Sequence, residues 1–206
     1  ERLLEEAIPK IRDFYGPNFD IEFARTLALV HDDHEILTGD PQLCDKEKMG
    51  EGELEELARK EKGAIPILIE MYNTTANGYD YKELLIAAKQ KCQLEAQFVS
   101  FFDKFDGGGE AWHEIWAGNH RFMRPAGSGH GQNKGYVRRL NEFPRQYLAM
   151  ANFFEQFPDY LPESFDFKSV AEQGQLHTES SLLKDSGYPP YERWKRTVLK
   201  NEGTNL

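Results

Sequence analysis

The run His31-Asp32-Asp33-His34-Glu35-Ile36-Leu37-Thr38-Gly39-Asp40 concentrates ionisable side chains where a helix should be burying apolar ones. Ala24, Leu27 and Ala28 form an i, i+3, i+4 apolar stripe, and the next positions on it are His31 and Glu35. Burying an imidazole and a carboxylate costs on the order of several kcal/mol unless each is paired or bound to a cation. A divalent metal ion is one such partner, and Asp32, one position round from His31, can reach the same ion. Asp33 and His34 fall toward the outer face. The alternative is a helix that ends near Ile36 with a solvated last turn, and periodicity leaves both readings open.

A second carboxylate interrupts a second stripe. The longest periodic segment runs from Tyr81 to about Phe105, its buried face marked by Leu84, Leu85, Ala88, Cys92, Val99 and Phe102. Asp103 continues that face and Asp106 lies nearly on the same line, so spacing alone does not choose between them. Other candidates are weaker. His113 and His120 are seven apart but stand with Trp112 and Trp116, which suits the border of an aromatic cluster. His130 lies in a Gly-rich stretch that lacks the Lys-Ser/Thr pair of a phosphate loop. Lys134, Arg138 and Arg139 are the densest basic cluster; they suit a solvated helix face better than a phosphate contact.

The elements that must position these residues are helices. Residues 2–15 repeat apolar side chains near the helical period and stop at Gly16-Pro17. A second helix is expected from an N-cap at Asp20 through Glu35, closed by the Thr-Gly-Asp turn at 38–40. A short charged helix follows over 53–62, read as solvated and ended by Gly63, and another from Ala64 with Pro66 in its first turn. After the long segment from Tyr81 and the glycines at 107–109 comes a helix holding Trp112, Ile115 and Trp116. Residues 125–135 read as a Gly-rich loop. Tyr136 to Phe157 reads as one aromatic helix ended by Pro158, with Tyr147, Phe153, Phe154 and Phe157 as core or as a surface for a second copy. A short helix is expected around 191–199. No run of period two exceeds a few residues, so the expected class is all-α.

The whole chain, 206 residues, is long enough for one domain with a substantial core, taken here as residues 1–162, with 163–206 a polar extension packed on it. A formal charge of −10 and a pI near 5.1 disfavour coating a nucleic-acid polymer, which needs a surplus of Lys and Arg. Two cysteines, Cys44 and Cys92, form neither a CxxC nor a framework, so reduced thiols in a cytoplasmic protein are expected. No apolar run reaches membrane-spanning length, and no membrane partner is expected.

The chain resembles the HD-domain metal-dependent phosphohydrolases, and within them the bacterial 5′-deoxynucleotidase-like branch. The resemblance rests on LALVHDDHEILTGD at 27–40 and FVSFFDKFDGGGEAWHEIWAGN at 98–119. It implies an HD-domain helical bundle with one divalent ion, Zn, Mn, Co or Mg, that activates water against a phosphoester of a small nucleotide. Carried over position by position, His31, Asp32 and Asp103 are metal ligands, the Ala-Gly-Asn at 117–119 selecting Asp103 over Asp106. Glu35 is the acid/base group and Asp40 a further polar group of the active site. The family's first His ligand has no counterpart before His31; in the branch it falls upstream of Glu1, so an N-terminal truncation is expected. Hydrolysis of a (deoxy)nucleotide 5′-monophosphate is the function implied, and homodimer formation is a tendency of the family. Phosphodiester or alarmone hydrolysis, or a metal-free HD-fold binding or scaffold protein, are the alternatives.

Overall fold

Leu3, Leu4, Ala7, Ile8 and Ile11 all face inward on α1, Arg2–Tyr15, as their spacing requires. The structure, a computed structural model, describes residues 1–41, 43–46, 48–72, 74–119, 122, 132–163 and 185–199. Among these the chain is helical apart from one hairpin of two-residue strands, in agreement with the all-α expectation. It divides into two compact units, Leu3–Ser100 and Phe101–Leu206. No helix of the described residues is long and apolar enough to cross a membrane.

In the first unit α2, Ile21–Val30, starts where the Asp20 carboxylate accepts from the Phe23 N–H at 2.9 Å, as the sequence suggests. It ends five residues earlier than expected, followed by a turn and the one-turn helices α3, Glu35–Thr38, and α4, Leu43–Lys46. The charged segment and the apolar one after it form a single helix, α5, Glu51–Met71, rather than two. Its first turn is closed by Glu53, which accepts from the Gly50 N–H at 2.9 Å. Gly63 costs a helix only about 1 kcal/mol. Pro66 is exposed, so the carbonyl it leaves without a donor can meet water, while Ala64, Ile65 and Leu68 keep the inner face continuous.

A hairpin the sequence reading missed follows: β1, Thr75–Ala76, pairs antiparallel with β2, Tyr79–Asp80. Asn77 and Gly78 both hold positive φ, 48° and 87°, the backbone that a tight two-residue hairpin turn demands and that an Asn-Gly pair supplies. Helix α6, Tyr81–Gln90, ends at Lys91 in the left-handed region, and the Gln97 amide donates to the Lys91 carbonyl at 3.0 Å. The expected continuous helix 81–105 is therefore two, and Cys92, placed on the buried face by periodicity, is exposed in the link. Ala64, Ile65, Leu68, Tyr81 and Leu85 form one core cluster of this unit, with Val30 packed against it. Tyr15 and Phe19 meet Phe98 on a second.

Helix α7, Leu94–Trp116, runs straight through Gly107-Gly108-Gly109, where the sequence suggests a break. Its second-unit portion explains why. A Cβ at Gly107 would stand 2.6 Å from the Tyr136 hydroxyl, and one at Gly109 would collide with the Trp194 indole. These glycines make room for aromatic rings and do not turn the chain. The expected aromatic helix 136–157 is also two, α8, Gln132–Gln146, and α9, Leu148–Gln156. Pro144 removes a donor, and Tyr147 turns extended to cap the next helix. Phe153 and Phe154 are core residues of this unit, as one of the two readings had them. The last helix, α10, Pro189–Val198, buries Tyr191 and Trp194. Most of the Gly-rich stretch, with His130, and residues 164–184 and 200–206 lie outside the described residues.

Candidate active site

Val30 is the last residue of α2, and the next turn is closed by bonds of shorter reach: Asp33 N–H to the Val30 carbonyl at 3.1 Å, Glu35 N–H to Asp32 at 2.8 Å and Ile36 N–H to Asp33 at 3.1 Å. In such a turn side chains three apart eclipse, whereas in an α-helix they are offset by about 60°. The tightening brings His34 round to the inner face. The expectation that His34 points outward is thereby overturned: it is 5% exposed.

His31 closes α2 with its imidazole half-buried. Its Nδ1 lies 3.0 Å from the Ala28 carbonyl, which can only accept, so Nδ1 donates there and Nε2 is left to face the rest of the site. The Asp32 carboxylate is 2.9 Å from that Nε2. Asp33 does not face solvent freely either; it accepts from the buried Tyr81 hydroxyl at 2.6 Å. That bond and burial hold the Tyr81 phenol well above its ordinary pKa, burial being the larger cause.

Glu35 opens α3 and is half-buried, 4.0 Å from His34 Nε2. The Gly39 N–H returns to the Glu35 carbonyl at 2.8 Å, and Gly39 takes φ 74°, ending the turn. Asp40 follows, exposed, with the Lys46 ammonium at 3.5 Å.

In the second unit Asp103 is half-buried on α7 and ion-paired with Lys104. Asp106, its rival in the sequence, accepts from the Trp194 indole N–H at 2.6 Å. His113 borders the aromatic cluster as expected, its Nδ1 2.9 Å from the Tyr191 hydroxyl. Arg138 is exposed and 3.4 Å from Glu142. The side chain of Lys134 and residue His120 lie outside the described residues.

Sequence reasoning missed one polar cluster. Lys89 donates to Glu61 at 2.5 Å and lies 3.0 Å from His34 Nε2, with Glu61 3.7 Å from the same nitrogen. Glu61 ends the stretch taken for a purely solvated helix, yet its side chain is 12% exposed. The only available signal was His34 itself, the fourth ionisable residue of the run that starts at His31.

A helical chain that carries His-Asp at a helix terminus, and a carboxylate three residues on, has the features of a metal-dependent phosphohydrolase of the HD class. A family model described as YfbR-like 5′-deoxynucleotidase matches residues 5–156, and the chain belongs to that family. Comparisons with curated proteins and with solved structures gave no match. The family consists of metal-dependent hydrolases of nucleotide 5′-monophosphates, and the chain is an enzyme of that kind.

Proposed function

We propose that His31, Asp32 and Asp103 hold the divalent ion, that Glu35 moves protons during hydrolysis, and that Asp40 is a further polar group of the same site. The observation that carries the reading is the His31–Asp32 pair. With Nδ1 donating to Ala28, the imidazole Nε2 and a carboxylate oxygen of Asp32 face each other at 2.9 Å. Two acceptors at that separation repel unless a proton or a cation stands between them. Imidazole and carboxylate are donors suited to Zn, Mn or Co without thiolate. Asp103 is the third ligand that the family resemblance implies, and the Asp106 carboxylate accepts from the Trp194 indole.

When bound, the cation supplies Lewis acidity, neutralising phosphate charge and making water a stronger nucleophile. The protein's own part is proton handling and orientation. Glu35, first residue of α3, takes the proton from attacking water or returns one to the departing 5′ oxygen. Its backbone is fixed from both sides, by the Glu35 N–H bond to Asp32 and by the Gly39 N–H on its carbonyl. The reading extends to a homodimer, for which exposed Ile67, Met71 and Tyr72 offer apolar surface, and to the cytoplasm, with Cys92 a free thiol.

The experiment compares Glu35→Gln with Asp32→Ala in full-length protein, measuring metal content, deoxynucleoside monophosphate affinity and phosphate release on the same preparations. Glu35→Gln should keep the ion and the nucleotide but turn over about 10²–10⁴-fold more slowly. Asp32→Ala should lose the ion. Full turnover in Glu35→Gln, or loss of its metal, would refute the assignment and move the proton-transfer role to Asp40.

A further inference from the structure

The cluster around His34 belongs to none of the roles assigned above. It is built from three elements of the first unit: the turn before α3 supplies His34, α5 supplies Glu61 and α6 supplies Lys89. His34 is buried and the Glu61 side chain is 12% exposed, while Lys89 reaches in from a more open position, 31% exposed, so the ammonium partners two groups that have little access to water. The Lys89 ammonium occupies the centre, donating to Glu61 at 2.5 Å and standing 3.0 Å from His34 Nε2. A protonated Lys has only donors, so Nε2 accepts and His34 is a neutral imidazole with its proton on Nδ1.

This arrangement sits directly against α3. That helix is four residues long and none of its side chains is fully buried, so a contact from outside it adds to the little that its own packing supplies. His34 is the residue before it, fully inward, and its carbonyl accepts from the Thr38 N–H and hydroxyl at 3.2 and 3.1 Å. The imidazole thus joins α3 to α5 and α6, while its backbone anchors the last residue of α3. Glu35 is covalently next, with its carboxylate 4.0 Å from the same imidazole nitrogen.

We propose that His34, held by Lys89 and Glu61, is a positioning residue that fixes the orientation of Glu35 for the hydrolytic step. The proposal rests on the reading of Glu35 as the proton-transfer group. It makes His34 a contributor to kcat, although it touches neither substrate nor ion.

The test is a double-mutant cycle on full-length, metal-loaded protein with a deoxynucleoside 5′-monophosphate as substrate. His34→Ala is expected to lower kcat about 10- to 100-fold, with metal content per chain and KM within about twofold of the parent. Lys89→Met should do the same. His34→Gln, whose amide oxygen can accept from Lys89, should recover most of the loss and guards against a folding defect in the Ala variant. In a Glu35→Gln background, His34→Ala should add nothing further. An equal loss in both backgrounds would overturn the proposal, as would unchanged kcat in His34→Ala or failure of His34→Gln to rescue a folded protein. If Glu35→Gln alone kept full turnover, the reading of Glu35 would fall instead, which distinguishes the two failures.

Discussion

Tyr81 shows how a single side chain secures the turn that follows α2. Its ring belongs to the core with Leu68 and Leu85, and its hydroxyl reaches out of that core to the Asp33 carboxylate at 2.6 Å. Tyr81→Phe should cost about 1.5–3 kcal/mol of unfolding free energy, the usual range for a hydrogen bond to a charged acceptor. The pH dependence follows from the raised phenol pKa. A phenol harder to ionise in the folded than in the unfolded chain contributes stability that is complete below pH about 10 and is lost as pH rises further. Thermal melts of parent and Tyr81→Phe should therefore differ at pH 8 and draw together above pH 10. A constant gap to pH 11 would show that the bond does not govern the alkaline limb. His31 and Glu35 stand out in the sequence because they interrupt an apolar stripe. Periodicity misplaced His34 because the three bonds that tighten residues 31–36 leave no mark in residue type.

At the scale of elements, glycines separate what sequence can and cannot say. Gly63 and Gly109 both lie inside helices, and both look like breaks. Nothing lies within 4 Å of a Cβ built at Gly63, whereas one at Gly109 runs into the indole of Trp194. Gly63→Ala should then stabilise the protein by roughly 0.5–1 kcal/mol through helix propensity and a less flexible unfolded chain. Gly109→Ala should destabilise it by about 1–3 kcal/mol, because overpacking outweighs the same propensity gain. Urea midpoints of the two variants check this, and a stabilised Gly109→Ala would mean that Trp194 can move aside at little cost. Periodicity found the helices but joined α6 to α7 and divided α5, since local punctuation was allowed to outrank packing that only the folded chain reveals. The Asn-Gly hairpin was legible in principle; its strands are too short to give a period.

For the molecule as a whole, the family match stops at residue 156, yet the second unit does not. Tyr188, Tyr191 and Trp194 are each 3% exposed or less, and Arg193 lies over the Tyr160 ring at 3.8 Å while pairing with Asp159. Trp116 stacks on Tyr191 with ring centres 4.8 Å apart. Removing three such aromatic side chains forfeits about 3–5 kcal/mol for each if the figures for large-to-small core changes apply, which is comparable with the whole stability of a domain. Protein ending at residue 162 should therefore bind a hydrophobic dye and melt at a lower temperature than the 206-residue chain, or fail to fold. An unaltered melt after that truncation would show α10 to be an appendage.

The glycine notch on α7 gives that prediction a wider meaning. A helix that leaves out its side chains at Gly107 and Gly109 cannot be complete without the rings that fill the gap, and one of those rings, Trp194, comes from beyond the segment that the family model matches. The notch and the tryptophan are complementary in shape, so a change in one should require a change in the other. A relative with alanine at position 109 should lack the tryptophan, and one that has lost the tail should have filled the notch. The family match ends at residue 156, and the packed unit ends some forty residues further on.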